Sequence, residues 1–246
     1  MISIQNISKS YSNKRVLSNF SLEIPNGQTV SLIGSSGSGK STVIRIVMGL
    51  IKSDSGRINI LGKELNEKNE LVLRQKMGYV IQKGGLFPHL TARENCSLLA
   101  KHLGWNQQRI NSRIEELAVL TNIEHPMLDR LPLNLSGGQQ QRISLMRALM
   151  LDPDILLLDE PLGSIDPLVR FELQSDLKTI FKTLDKTVLF VTHDLNEAAY
   201  LGDEIVLLNE GKLIQKGKIQ ELIKNPANEF VQRFVNAQRS YLENVK

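Results

Sequence analysis

A single cysteine, Cys96, is all the thiol this chain carries, so no disulfide can form within it and a reducing compartment fits. A cysteine of this kind is more often a small buried apolar group than a reactive thiol. No run approaches the roughly 18 apolar residues that span a bilayer. The N-terminus, MISIQNISKSYSNKR, lacks the apolar segment of a secretory leader. No long Lys/Arg run is present either. The formal charge of +4 comes from 30 basic and 26 acidic residues with their signs interspersed, so charge gives no reason to propose nucleic acid as a partner. Internal repeats, low-complexity segments and linkers are also missing. What remains is a chain of 246 residues, 41% hydrophobic and 23% charged. That is enough to bury a sizeable core, in one large domain or one domain with an inserted subdomain.

Residues 2–8 and 16–24 read as strands, followed by a turn at Pro25-Asn26-Gly27. TVSLIG (29–34) is expected to be a buried strand and VIRIVMGL (43–50) a helix. GRINILG (56–62) and MGYVIQ (77–82) again look like strands. From Phe87 to Leu151 the texture becomes helical. Thr91 and Glu94 form a capping-box pattern ahead of one helix, 106–120 has the apolar period of a second, and a third begins near Gly137. ILLLD (155–159) is a continuous apolar run, as in a strand buried on both faces of a parallel sheet. A helix over 167–184, a strand over 187–193, a hairpin over 204–217 and a helix from 228 onward complete the pass. The fold class is α/β, a parallel-sheet core interrupted by a helical stretch.

Gly34-Ser35-Ser36-Gly37-Ser38-Gly39-Lys40-Ser41 satisfies GxxxxGK[ST], with a strand before it and a helix after it. Glycines let the backbone curl until successive N–H groups face inward as a nest for phosphate oxygens. The helix beginning near Lys40 adds its positive end. Lys40 is expected to reach the β- and γ-phosphates, Ser41 to ligate Mg²⁺ and Thr42 to bond the α-phosphate. Asp159 and Glu160 end the apolar strand. Asp159 is placed to hold Mg²⁺ through water. Glu160, pointing the other way, can polarise a water for in-line attack on the γ-phosphate of ATP.

Leu135-Ser136-Gly137-Gly138-Gln139 stands just before a helix. With it the chain resembles the ATP-binding subunit of an ABC transporter over essentially its whole length. That resemblance implies the ABC ATPase fold: a P-loop NTPase core of about 1–86 and 152–246, an N-terminal antiparallel β-subdomain, and a helical subdomain inserted at about 87–151. In that family LSGGQ caps the γ-phosphate held by the opposing subunit of a head-to-tail dimer. Ser136, Gly137, Gly138 and Gln139 are therefore expected to act in trans, in a homodimer closed by ATP. Tyr11 lies where the family stacks an aromatic on adenine. Gln82 matches the glutamine that senses Mg²⁺ and water. Ser164-Ile165-Asp166 matches the D-loop, although Ala or Leu is commoner where Ile165 stands. His193 matches the histidine that contacts the γ-phosphate and fixes the attacking water. No motif residue is missing, so an active ATPase is expected.

The resemblance also implies permease subunits as partners, an extracytoplasmic binding protein acting indirectly, and a peripheral place on the cytoplasmic face of the inner membrane. KHLGW (101–105), LMRALMLDP and PLGSIDPLVR are similar to the osmoprotectant branch. Uptake of glycine betaine, choline or a related quaternary amine is the leading expectation. Amino-acid uptake, lipid or peptide export, and a non-uptake process are the alternatives. The tail after Lys224 is too short for the C-terminal regulatory domain that many osmoprotectant cassettes carry, so none is expected. Phe230 and Phe234 should pack back on the body.

Overall fold

The computed structural model describes residues 1–12, 14–82, 85–163 and 165–238. Ser164 of the expected D-loop lies outside them. The chain divides into two compact units, one of residues 1–70 with 189–246 and one of residues 71–188.

The first unit opens with an antiparallel sheet. Strand β1 (Ile2–Tyr11) pairs with β2 (Lys14–Ile24) on one side and with β4 (Ser55–Ile60) on the other. The short β5 (Lys63–Glu64) completes the order β2-β1-β4-β5. Both long strands run further than their apolar alternation. Hydrogen bonding continues through Lys9, Ser10 and Tyr11 to Leu17, Arg15 and Lys14, past several register shifts. Ile2, Ile4, Ile7, Leu17, Phe20, Leu22 and Ile24 point inward.

The same unit contains β3 (Thr29–Ile33), every residue of which is buried, and helix α1 (Lys40–Val47). The helix stops earlier than the apolar run Val43–Leu50 indicates. Gly49 takes φ +67°, and Leu50 N–H returns to the carbonyl of Arg45, a glycine-terminated helix end. Strand β3 runs parallel to β9 (Glu204–Asn209), which pairs antiparallel with β10 (Lys212–Gly217). Helices α8 (Leu195–Leu201), α9 (Ile219–Lys224) and α10 (Glu229–Gln238) complete the unit. One apolar cluster joins Ile33, Ile205 and Leu207 of the sheet to Leu195, Ala198, Leu222, Val231 and Val235, with Phe230 and Phe234 packed against it. Phe230 and Phe234 therefore do fold back on the body. Strand β8 (Thr187–Val191) carries the boundary between the units.

In the second unit β6 (Met77–Val80) pairs in parallel with β7 (Ile155–Asp159). Around them lie α3 (Ala92–His102), α4 (Gln107–Leu120), α5 (His125–Leu128), α6 (Gly137–Leu149) and α7 (Pro167–Leu184). Helix α6 is the hub, packing on α3, α4, β6 and α7. The small α2 (Glu70–Arg74) links the units along the chain. Among the described residues no helix is long and apolar enough to cross a membrane.

Candidate functional site

In the first unit the residues between β3 and α1 form a tight backbone curl. Gly34, Gly37 and Gly39 take φ of +155°, +77° and +109°. At Gly34 and Gly39 space as well as φ requires glycine. A Cβ on Gly34 would stand 2.1 Å from the carbonyl oxygen of Leu208, and one on Gly39 would stand 2.8 Å from Leu17 Cδ2. Lys40 is buried, and its ammonium donates to the carbonyls of Gly34 at 2.8 Å and Ser35 at 3.0 Å. The side chain is thus tied to the loop it follows. Helix α1 has Gly39 at its N-cap and no side-chain cap, so the N–H groups of its first turn, with the helix dipole behind them, suit an anion. Ser35, Ser36 and Gly37 are exposed at the crest of the curl, and Gly34, Ser38 and Gly39 are buried beneath it. The Ser38 hydroxyl is buried and finds no hydrogen-bond partner among the described residues. An orphaned hydroxyl inside a loop of positive-φ glycines fits a phosphate oxygen. Ser41 and Thr42 occupy the first turn with partly exposed side chains.

Tyr11 ends β1 with 43% of its surface exposed. The Lys9 ammonium lies 5.5 Å from its ring centroid. His193, exposed, stands on the loop between β8 and α8. The loop is braced from within: Thr192 Oγ1 donates to the buried Glu197 at 2.6 Å and accepts from Asp194 N–H. Asp194 caps α8 through Asn196 and Glu197 N–H. Sequence reasoning missed α8, although Asp194 followed three residues later by Glu197 is a start signal. It also missed Gln238, whose amide bonds the main chain at His193 and Leu195. No local pattern marks a residue so distant in sequence.

In the second unit Asp159 ends β7, buried, and Glu160 follows at φ +47°. A non-glycine residue in that region is uncommon and tends to mark a functional turn. Gln82 lies beyond β6, which ends at Val80 rather than running through Gln82. It is exposed there, and its Nε2 donates to Glu160 Oε2 at 3.0 Å. The structure therefore joins two residues that lie far apart in the sequence. Asp159 in this unit, like Ser41 in the other, is an oxygen donor of the kind Mg²⁺ accepts. Among the described residues no group of three or more His, Cys, Asp or Glu side chains gathers as a metal cage.

Ser136 is the N-cap of α6. Its hydroxyl accepts from Gln139 N–H at 3.3 Å, and Gln139 Oε1 accepts from Ser136 N–H at 2.9 Å, a complete capping box. Gly137 is exposed, whereas Gly138 is buried against Val169. A cleft of about 270 Å³ lies beside them, lined in part by Ser136, Gln139, Arg142, Val169 and Glu172. Asp166 caps α7 by accepting from Leu168 N–H at 3.0 Å. Asn95, buried, accepts from Phe87 N–H and donates to the carbonyls of Phe87, Leu90 and Thr91. It therefore fixes the main chain of the segment that follows Gln82, another role without a sequence signal. Cys96 is inert by geometry: it is fully buried, and desolvation pushes its thiol up to about 12.

A strand, a glycine curl holding its own lysine and a helix without a side-chain cap define a P-loop protein. The family model described as ABC transporter matches residues 17–163. The glycine betaine/carnitine/choline transport ATP-binding protein OpuCA of Bacillus subtilis is 44% identical over 240 residues, 97% of this chain and 63% of that protein. The chain thus spans less than two thirds of that relative's length. The probable sulfate/thiosulfate import ATP-binding protein CysA of Chlorella vulgaris is also 44% identical, over 95% of this chain and 98% of its own. A solved dimeric bacterial ABC transporter cassette superposes with TM-score 0.81 at 33% identity, over 89% of this chain and 99% of that one. The chain belongs to the ABC transporter family.

Proposed function

We propose that this chain is the ATP-hydrolysing subunit of an importer, and that it energises uptake of a quaternary-amine osmoprotectant of the glycine betaine or choline type. The observation that carries the catalytic reading is the hydrogen bond from Gln82 to Glu160, made where Glu160 leaves β7 at positive φ. The bond fixes the direction in which the Glu160 carboxylate is presented. In this reading Gly34 to Thr42 cradle the ATP phosphates, Lys40 exchanges loop carbonyls for β- and γ-phosphate oxygens, and Tyr11 stacks on adenine. Ser41, Gln82 and Asp159 hold Mg²⁺, which when bound supplies charge neutralisation on the phosphates. Glu160 accepts the proton of the attacking water, and His193 orients that water against the γ-phosphate. The γ-phosphoryl group passes to water and ADP leaves.

Ser136, Gly137, Gly138, Gln139 and Asp166 serve the nucleotide of a second copy, so ATP closes a homodimer. Support for this comes from the solved relative, which is dimeric. Permease subunits, an extracytoplasmic binding protein and a peripheral place at the cytoplasmic face of the inner membrane belong to the same reading. The osmoprotectant assignment draws on OpuCA. Uptake of an oxyanion is the second reading, favoured by the equal identity to CysA.

Light scattering of the native chain and Glu160→Gln, with ATP and Mg²⁺, tests the catalytic part. The variant is expected to bind ATP, to hydrolyse it at least about 100-fold more slowly, and to persist as a dimer. A variant that hydrolyses normally sinks the assignment of Glu160. Uptake of labelled glycine betaine, choline and sulfate in cells with and without the gene tests the solute. Loss of sulfate uptake alone replaces the first reading by the second.

A further inference from the structure

We infer that Gln238, at the end of α10, is a positioning residue for the His193 loop. The Gln238 Nε2 donates to the carbonyl of His193 at 2.8 Å, and its Oε1 accepts from Leu195 N–H at 2.6 Å. One carboxamide therefore takes the main chain on both sides of Asp194. The arrangement meets a need the cap leaves open. The Asp194 carboxylate satisfies Asn196 and Glu197 N–H, whereas Leu195 N–H is among the helix-start donors that have no partner within their own helix. An amide side chain offers a donor and an acceptor from one planar group.

The amide is also held on a stiff arm. Val231 and Val235 of α10 are buried in the same apolar cluster as Leu195 and Ala198 of α8. The main chain of the His193 loop is thus held from within by Thr192, itself tied to Glu197, and from outside by Gln238. The inference rests on the proposed role of His193 at the γ-phosphate.

The test compares native chain, Gln238→Ala and Gln238→Glu by steady-state ATPase and by hydrogen exchange of the segment 192–198. Gln238→Ala is expected to lower kcat about tenfold while KM for ATP stays within about twofold. It should also speed exchange at Leu195 by a similar factor, with the exchange of β3 unchanged. Gln238→Glu keeps an acceptor for Leu195 N–H but sets an oxygen against the His193 carbonyl, so it should not restore native kcat. Native kcat in Gln238→Ala, or unchanged exchange at Leu195, overturns the inference. A rise in exchange throughout the first unit also overturns it, by reducing Gln238 to a general packing role. If the native chain itself fails to hydrolyse ATP, the catalytic reading has failed, and the exchange at Leu195 decides the positioning alone.

Discussion

Gly137 and Gly138 are neighbours in sequence and opposites in space, and exchanging each for alanine separates two effects. A Cβ on Gly137 meets nothing within 4 Å, whereas one on Gly138 would stand 2.4 Å from Val169 Cγ1. Both residues lie in the first turn of α6, so each alanine restricts the unfolded chain equally, contributing about 0.5 kcal/mol of stability. Gly138→Ala must in addition move a β-branched side chain that has little rotamer freedom. Overpacking of that kind costs about 1–3 kcal/mol. Gly137→Ala should therefore unfold at a slightly higher urea concentration than the native chain, and Gly138→Ala at a lower one, having lost about 0.5–2.5 kcal/mol of stability. Adding Val169→Ala should recover much of the Gly138→Ala loss, a coupling a double-mutant cycle reads directly. Equal midpoints for the two alanine variants would refute the account. ATPase activity then completes the dissection. Gly137→Ala, better folded than native, should still hydrolyse more slowly if that exposed position meets nucleotide.

Asn95→Ala removes the acceptor of Phe87 N–H and the side-chain donor to the carbonyls of Phe87, Leu90 and Thr91, although Phe87 and Thr91 keep backbone donors in Leu90 and Asn95. It should cost about 2–3 kcal/mol in urea unfolding and make 85–91 the first site of limited proteolysis. An unchanged cleavage pattern contradicts the clamp. The Asp152 carboxyl is held below the usual carboxylate range, first by its hydrogen bond from Lys186 and then by the charges of Lys186, Arg113 and Lys76. A pKa depressed by folding gives stability that is present above the unfolded value of about 4 and lost as pH falls through the folded one. Asp152→Asn should thus cost less than about 1 kcal/mol at neutral pH, because the carboxylate is exposed and screened. That difference should vanish at acid pH and shrink in high salt; a penalty independent of both removes the charge from the explanation.

Much of the chemistry was legible because it depends on neighbours in the chain. The glycine loop, the Asp159-Glu160 strand end and the Thr91–Glu94 capping box are local patterns whose geometry follows from backbone preference. Fully buried strands such as β3 and β7 announced themselves by apolar runs. Less visible were α2, α5, α8 and α9, each too short for a helical period to stand out. Strand ends were misjudged at Gln82 and at Thr192-His193, where apolar or β-branched residues continue past the last ladder pair. The pairing of Gln82 with Glu160, the clamp by Asn95 and the grip of Gln238 join residues whose types are ordinary. Each is set by tertiary packing, which a local pattern does not carry.

The clamp by Asn95 separates shape from identity in the turn it holds. Because a residue outside the segment fixes the main chain at Phe87, Leu90 and Thr91, the side chains of Phe87, exposed over 44% of its surface, and His89 have little folding duty. Such a turn can exchange its outward residues over evolutionary time while keeping its outline, as a socket keeps its form when its contacts are changed. Change of surface on this turn would then need substitutions at the exposed positions and none at the residue that holds them.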